Sequence, residues 1–328
     1  MPPWPPSPDC NHYVGERGLT AAEKSTLARW AAAGAPEGSA ADAVHGEAPT
    51  GGIARVDATL ALPEPYTPIA APDDYRCLLL DVTTPVDGFI TGFSVDPDQD
   101  SIVHHVIAYL AKPDQVADYQ ALDAADSGPG WSCFGGPGGD DALSWLGGWV
   151  PGSLGDTYPA GTGIPVPKGS KAVVQMHYNL ASASAVPDQT SLSFMFDKTV
   201  ATPATMVKVV DPDWVRGGMP IPAGQSDVVF SVDLPNPLGR GVKVWSASLH
   251  QHLLGKSGSL VVHHADRDTC ALDIPRSTVW ASIGAAHAAS AAISVAGMAG
   301  RVSSSQRSSS VTSSQVIRPP WQPARGAG

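Results

Sequence analysis

The sequence predicts an all-β fold made of antiparallel β-sandwiches, and three observations predict it. Of its 328 residues 43% are hydrophobic and only 16% are charged, which supplies apolar material for a core beneath a lightly charged surface. Its 34 glycines and 31 prolines together approach a fifth of the chain, a density of breakers that disfavours long helices. From Tyr75 onward, short β-rich runs bounded by Pro, Asp and Gly follow one another without an intervening helical period.

Taken in order, residues 1–45 read as a small helical piece. Thr20 and Glu23 have the spacing of a capping box, Leu27 and Trp30 fall on one face of the segment after it, and Gly34 and Pro36 end it. Residues 46–70, rich in Pro, Gly and Ala, read as a linker. The strand-like runs then begin: Cys77 to Val82, Gly88 to Phe93, Ile102 to Leu110, Ala172 to Tyr178 and Leu192 to Phe196. A break near Thr199–Thr205 separates them from a second group, Met206 to Val210, Val228 to Val232, Val242 to Leu249 and Ser259 to Val262. This divides the patterned region into 71–200 and 201–276. Residues 277–328 are mostly Ala, Ser and Val with long Ser runs and no period of two, and they read as a low-complexity, disordered tail.

The formal net charge of -11 argues against nucleic acid or an anionic membrane surface as a partner, since both are polyanions. No apolar run approaches the roughly 20 residues needed to span a bilayer. The N-terminus, Met1-Pro2-Pro3-Trp4-Pro5-Pro6, lacks the basic and apolar stretches of a signal peptide. The four cysteines, Cys10, Cys77, Cys133 and Cys270, form no CxxC pair, so zinc-ribbon and c-type haem motifs are absent. An even, sparse set suits one or two disulfides in an oxidising compartment; buried free thiols are the alternative.

The histidines carry the chemistry. His104 and His105 are adjacent within an apolar strand, Ser101 to Leu110. Neighbouring residues of a flat strand point to opposite faces, so either a bulge or bend brings the two together or only one binds an ion. His177 lies in another strand, and alone it would more readily be a hydrogen-bonded core residue. His250 and His252 are spaced by one residue, which in a strand puts both imidazoles on one face as a chelating pair. His263 and His264 precede a polar segment and read as solvated; His12, His45 and His287 receive no role. Five histidines in three strand-like contexts, with no HExxH, point to a metal site other than that of a zinc hydrolase. The plainer reading is a β-sandwich adhesion module with structural histidines.

Several segments together resemble a known family. They are Asp74-Tyr75-Arg76-Cys77, Ile102-Val103-His104-His105-Val106, Gly148-Trp149 with Pro167-Lys168-Gly169-Ser170-Lys171, Val174-Gln175-Met176-His177-Tyr178, and Ser248-Leu249-His250-Gln251-His252-Leu253-Leu254-Gly255-Lys256. In order and spacing they resemble the copper type II, ascorbate-dependent monooxygenases, the group of dopamine β-monooxygenase and peptidylglycine α-hydroxylating monooxygenase, over roughly residues 73–276. The resemblance implies two tandem, jelly-roll-like β-sandwich domains, each with one copper ion. His104, His105 and His177 would hold the electron-transfer copper; His250 and His252 would supply two of three ligands of the oxygen-binding copper and so be the catalytic residues. It further implies a Cys77–Cys133 disulfide, ascorbate or a similar reductant, O2 and a small organic substrate as partners, and a secreted or periplasmic location. The helical piece 1–45 resembles the end of the cytochrome c-like domain that sometimes precedes such domains, implying an upstream haem domain.

The resemblance also has gaps. The family's third ligand at the second copper is a methionine, in a segment absent here; Met298 has none of the expected neighbours and Met219 precedes the His250–His252 pair. The pattern stops after Asp273-Ile274-Pro275-Arg276, and the composition beyond is that of a GC-rich gene translated out of frame. The expectation is therefore a second domain that is incomplete and binds copper poorly, beside an intact first site. Ser248 stands where the peptide-hydroxylating branch has an arginine, and a serine cannot make the bidentate charged contact to a peptide carboxylate. A peptidylglycine substrate is not expected. A non-catalytic copper-binding or electron-transfer protein is the alternative function.

Overall fold

The computed structural model describes residues 6–13, 18–43, 52–82, 86–139, 144–211, 213, 220–225, 227–236, 241–250, 255–264, 266–275, 290–297 and 310–317. Strands dominate, and nearly all pair antiparallel, as the sequence predicts. The N-terminal helix α1 (Ala21–Ala32) starts with the expected capping box, Thr20 accepting from the Glu23 amide and Glu23 reaching back to the Thr20 amide. Gly34 after it takes a positive φ. No residue of α1 is buried, and Leu27 and Trp30 are about half exposed, so its apolar pair meets no core.

The first sandwich packs two sheets face to face. One has the order β5-β2-β9-β4-β6, from Trp131–Ser132, Asp73–Asp81, Lys171–Asn179, Val103–Ala111 and Ser144–Trp149. The other starts β1-β10-β3-β8, from Ala58–Ala61, Ser191–Asp197, Gly88–Asp96 and Thr162–Val166, with β7 (Asp156–Thr157) also on β3. Period-two alternation sends Leu78, Leu80, Val106, Ala108, Leu110, Val174, Met176 and Tyr178 inward from the first sheet. They meet Ile90, Phe93, Ile164, Leu192 and Phe194 from the second, forming one core. Each fully buried aliphatic side chain contributes about 1.5–3 kcal/mol.

Strand β1 corrects the linker assigned to 46–70. Leu60, Leu62 and Tyr66 are buried in the first core, and Ala58–Ala61 pairs along β10. The Pro-rich composition of the stretch masked the alternation of Leu60 and Leu62. A second helix, α2 (Val116–Ala125), also went unread. It lies over the outer face of the five-stranded sheet, where Tyr119 packs with Trp131, Tyr109, Val173, Cys77 and Cys133.

The second group of strands continues the same sheet. Strand β11 (Thr202–Val209) pairs with β8 in parallel at Thr202 and Pro203, and the order runs on through β16 (Ser290–Gly297) to β13 (Val242–His250). Opposite it is a four-stranded sheet, β12-β17-β14-β15, from Val228–Pro235, Ser310–Ile317, Gly255–His263 and Asp268–Ile274. Strands β16 and β17 come from the stretch read as a strandless tail. Each lies between two strands whose backbone groups it pairs, a ladder that needs no period-two burial signal. The rest of 277–328 lies outside the described residues. Among the described residues the second core is small, with Val209, Leu260 and Leu272 buried.

Two disulfides join the four cysteines, Cys77–Cys133 and Cys10–Cys270. The first is the pairing the resemblance implied; the second fastens the segment before α1 to β15. No described helix is long and apolar enough to cross a membrane.

Candidate metal centre

Three of the histidines meet on the outer face of the five-stranded sheet. Along β4 and β9 the pairing runs Val103↔Tyr178, then His105↔His177, then Val106↔Met176, so β4 carries one residue more than β9 at this point. The extra residue makes a β-bulge, in which two residues of one strand oppose one of its partner. Val103 and Val106 stay buried in the core, while His104 and His105 both lie on the His177 side. The alternatives left open by two adjacent histidines resolve to the bulge.

Their ligand nitrogens all lie within 4.8 Å of one another. His104 Nδ1 is 3.4 Å from His105 Nδ1, which is 3.2 Å from His177 Nδ1. Nitrogens about 2.0–2.1 Å from a shared ion stand about 3.3–3.6 Å apart in tetrahedral to trigonal geometry, which these two separations approach, so the group could hold one ion. Imidazole donors suit copper, zinc, iron and nickel. Among the described residues no other group of His, Cys, Asp or Glu is gathered in this way.

The strand neighbours set the orientation of the rings. Tyr75 of β2 stands opposite His177 in register, and the two rings stack with centroids 4.0 Å apart and planes 11° from parallel. The edge of Phe134 meets Tyr75 at 4.9 Å and 82°. The Cys77–Cys133 disulfide and a 2.9 Å hydrogen bond from Gln175 Nε2 to the Cys133 carbonyl hold the Phe134 loop against β2 and β9. On the far edge of His177, Nε2 lies 2.9 Å from Asp73 Oδ1, and Asn179 Nδ2 donates to the same oxygen at 2.7 Å. A carboxylate only accepts, so His177 donates through Nε2–H and turns the lone pair of Nδ1 towards His105 and His104.

The electrostatics favour a neutral His104. Although His104 is exposed over its residue surface, the atoms packed round its ring desolvate it and lower its pKa below the usual 6.5, against a smaller opposing effect of Asp73. It is therefore neutral at neutral pH. Burial, helped by Asp73, pushes the Tyr75 phenol up to about 12, so it stays protonated.

The remaining sequence candidates are not brought to this centre within the described region. His250 is the last residue of β13; His252, Met219 and Met298 lie outside the described residues. His263 instead faces a carboxylate, with Nδ1 2.7 Å from Asp268 Oδ1. Sequence reasoning missed Asp73, Asn179 and Phe134. The first two had a readable signal, since each is a polar residue two positions from an outward-facing strand residue, Tyr75 or His177, and so on the same face. No family model matches the chain, and no curated protein matches it.

Proposed function

We propose that the protein is a copper-dependent monooxygenase of the kind its motifs resemble, with His104, His105 and His177 as the one-electron copper centre. The observation that carries this reading is the convergence of three imidazoles, with His105 Nδ1 3.4 Å from His104 Nδ1 and 3.2 Å from His177 Nδ1 and all three ligand nitrogens within 4.8 Å of one another. A copper ion held there would supply one-electron redox chemistry, cycling between Cu(I) and Cu(II). His105 and His177, packed between neighbouring strands, hold fixed positions, and His104 forms the exposed side of the site. Tyr75 excludes water from one face of His177. Hydroxylation of a substrate C–H bond, with O2 and a reductant such as ascorbate, would fall to the His250–His252 pair. The two disulfides support an oxidising environment, in keeping with a secreted or periplasmic protein.

The test is metal analysis followed by turnover. The purified chain is expected to hold copper, and His104→Ala with His105→Ala to abolish the tightly bound ion; retention of full copper by that double variant sinks the reading. Ascorbate-dependent oxygen consumption coupled to a hydroxylated product identifies the monooxygenase. A second reading, a non-catalytic copper-binding or electron-transfer protein, rests on the three-histidine centre alone, which would suffice for it. Copper that ascorbate reduces, without oxygen consumption, identifies that protein instead.

A further inference from the structure

We propose that Asp73, anchored by Asn179, is a positioning residue that fixes the tautomer and donor strength of His177 and thereby lowers the reduction potential of a copper ion at the three-histidine centre. This rests on the reading of that centre as a copper site. Asp73 and Asn179 stand directly opposite each other on β2 and β9, two pairs along from Tyr75 and His177 and so on the same face of the sheet. The carboxylate therefore sits at the outer edge of the His177 ring, with Nδ1 at the inner edge among the other imidazoles. The side chains of His177 and Asp73 are only 4% and 13% exposed, so water screens their bond weakly. Tyr75, stacked on the ring, opposes a flip that would put ring carbons where Nδ1 and Nε2 stand.

Two consequences separate orientation from charge. A carboxylate accepting from Nε2–H pushes electron density onto Nδ1 and adds a nearby negative charge, both of which favour the more highly charged ion. Asparagine at 73 can still accept from His177 and Asn179 through its carbonyl oxygen, so Asp73→Asn keeps the orientation and removes the charge. Asp73→Ala removes both, and leaves His177 able to carry its proton on Nδ1, where it blocks metal binding.

The experiment measures Cu(II), Cu(I) and Zn(II) affinities by competition titration, and the Cu(II)/Cu(I) potential by spectroelectrochemistry, on wild type, Asp73→Asn and Asp73→Ala. Asp73→Ala is expected to lose about 10–100-fold in affinity for all three ions. Asp73→Asn is expected to lose about tenfold in its preference for Cu(II) over Cu(I), an upward shift of about 59 mV, with a smaller loss of zinc affinity. If Asp73→Ala does not fold, the potential of Asp73→Asn decides alone. Wild type and Asp73→Asn with the same potential, or a lower potential in the variant, overturns this proposal and leaves the copper reading standing. A wild-type chain that binds none of these ions overturns both.

Discussion

Replacing Cys77 and Cys133 together by alanine removes a cross-link spanning a sequence separation of 56 residues. In the chain-entropy description, a closed loop of that length restricts the unfolded chain by about 14 cal/mol/K, or about 4 kcal/mol at 25 °C. Alanine is the right substitute because Cys77 and Cys133 are 0% and 5% exposed, and serine would add the cost of burying two hydroxyls. For a sandwich of about 150 residues, each kcal/mol moves the melting temperature by about 2–4 °C, so the double variant should melt about 8–16 °C lower. The loop is also held by the Cys133 amide donating to the Tyr75 carbonyl and by Gln175 on the Cys133 carbonyl. The native loop therefore survives, and copper affinity at the three-histidine centre should fall less steeply than stability. The assay is thermal unfolding followed by circular dichroism on metal-free protein, with and without the disulfide. A shift below about 3 °C would refute the reasoning, because it would mean that the unfolded chain gains little freedom when the bond is absent.

Other perturbations follow from the same structure. Gly130 has φ +65°, and an added Cβ would stand 1.9 Å from the Cys77 carbonyl oxygen, whereas Gly135 at φ +81° has nothing within 4 Å. Gly130→Ala should therefore cost at least about 2 kcal/mol and Gly135→Ala about 1–2 kcal/mol, read from urea midpoints; equal costs would show that the close approach is not what matters. Hydrogen bonds from the buried Arg76 guanidinium hold the Asp126 carboxyl down to about 2, below its ordinary 3.8. A depressed folded-state pKa contributes stability above the unfolded value and loses it as pH falls through the folded one, so the advantage of wild type over Asp126→Asn should shrink between about pH 4 and pH 2. An advantage that is constant across that window contradicts the pairing. Removing Cys10 and Cys270 by alanine should make residues 6–13 more open to protease, with the Ser7 amide on the Asp273 carbonyl and the packing of Tyr13 against the second core remaining, and should leave copper at the first centre unchanged. Loss of that copper would show that the two regions depend on each other.

Much of the fold was legible because its strands alternate. Cys77 to Val82, Ile102 to Leu110 and Ala172 to Tyr178 each lie inside or overlap a strand, since one face of each had to be apolar. The elements that escaped notice lack that signal for physical reasons. Strand β8 contains Pro165, which reads as a breaker. The strand tolerates it because β11 pairs β8 only at Thr162 and Gly163, so no partner on that side needs an amide from position 165. Strand β6 carries Gly147, where a Cβ would collide with the Phe93 ring, so close packing of a neighbour replaced the expected large residue. At the candidate centre, the family resemblance selected the trio, since identity and spacing alone left His177 reading as a core residue. Its geometry was not legible, because a bulge is a pairing mismatch between β4 and β9 and neither strand contains it alone. Alternation could have placed Asp73 and Asn179 on the outward face, but their meeting was hidden for the same reason: it is a register between strands about a hundred residues apart.

The bulge at His104 makes the donor set depend on a count of residues as well as on their identity. Deleting His104 would let β4 and β9 pair without interruption and leave two imidazoles facing each other, too few to hold an ion firmly. Adding a residue elsewhere in β4 would rotate His105 into the core and drive a valine outward. Along this strand, a single codon gained or lost reaches the centre more directly than many substitutions would. Homologous chains that keep every histidine but differ by one residue between the core valines should therefore have no such centre, and strand length becomes a criterion for sorting them.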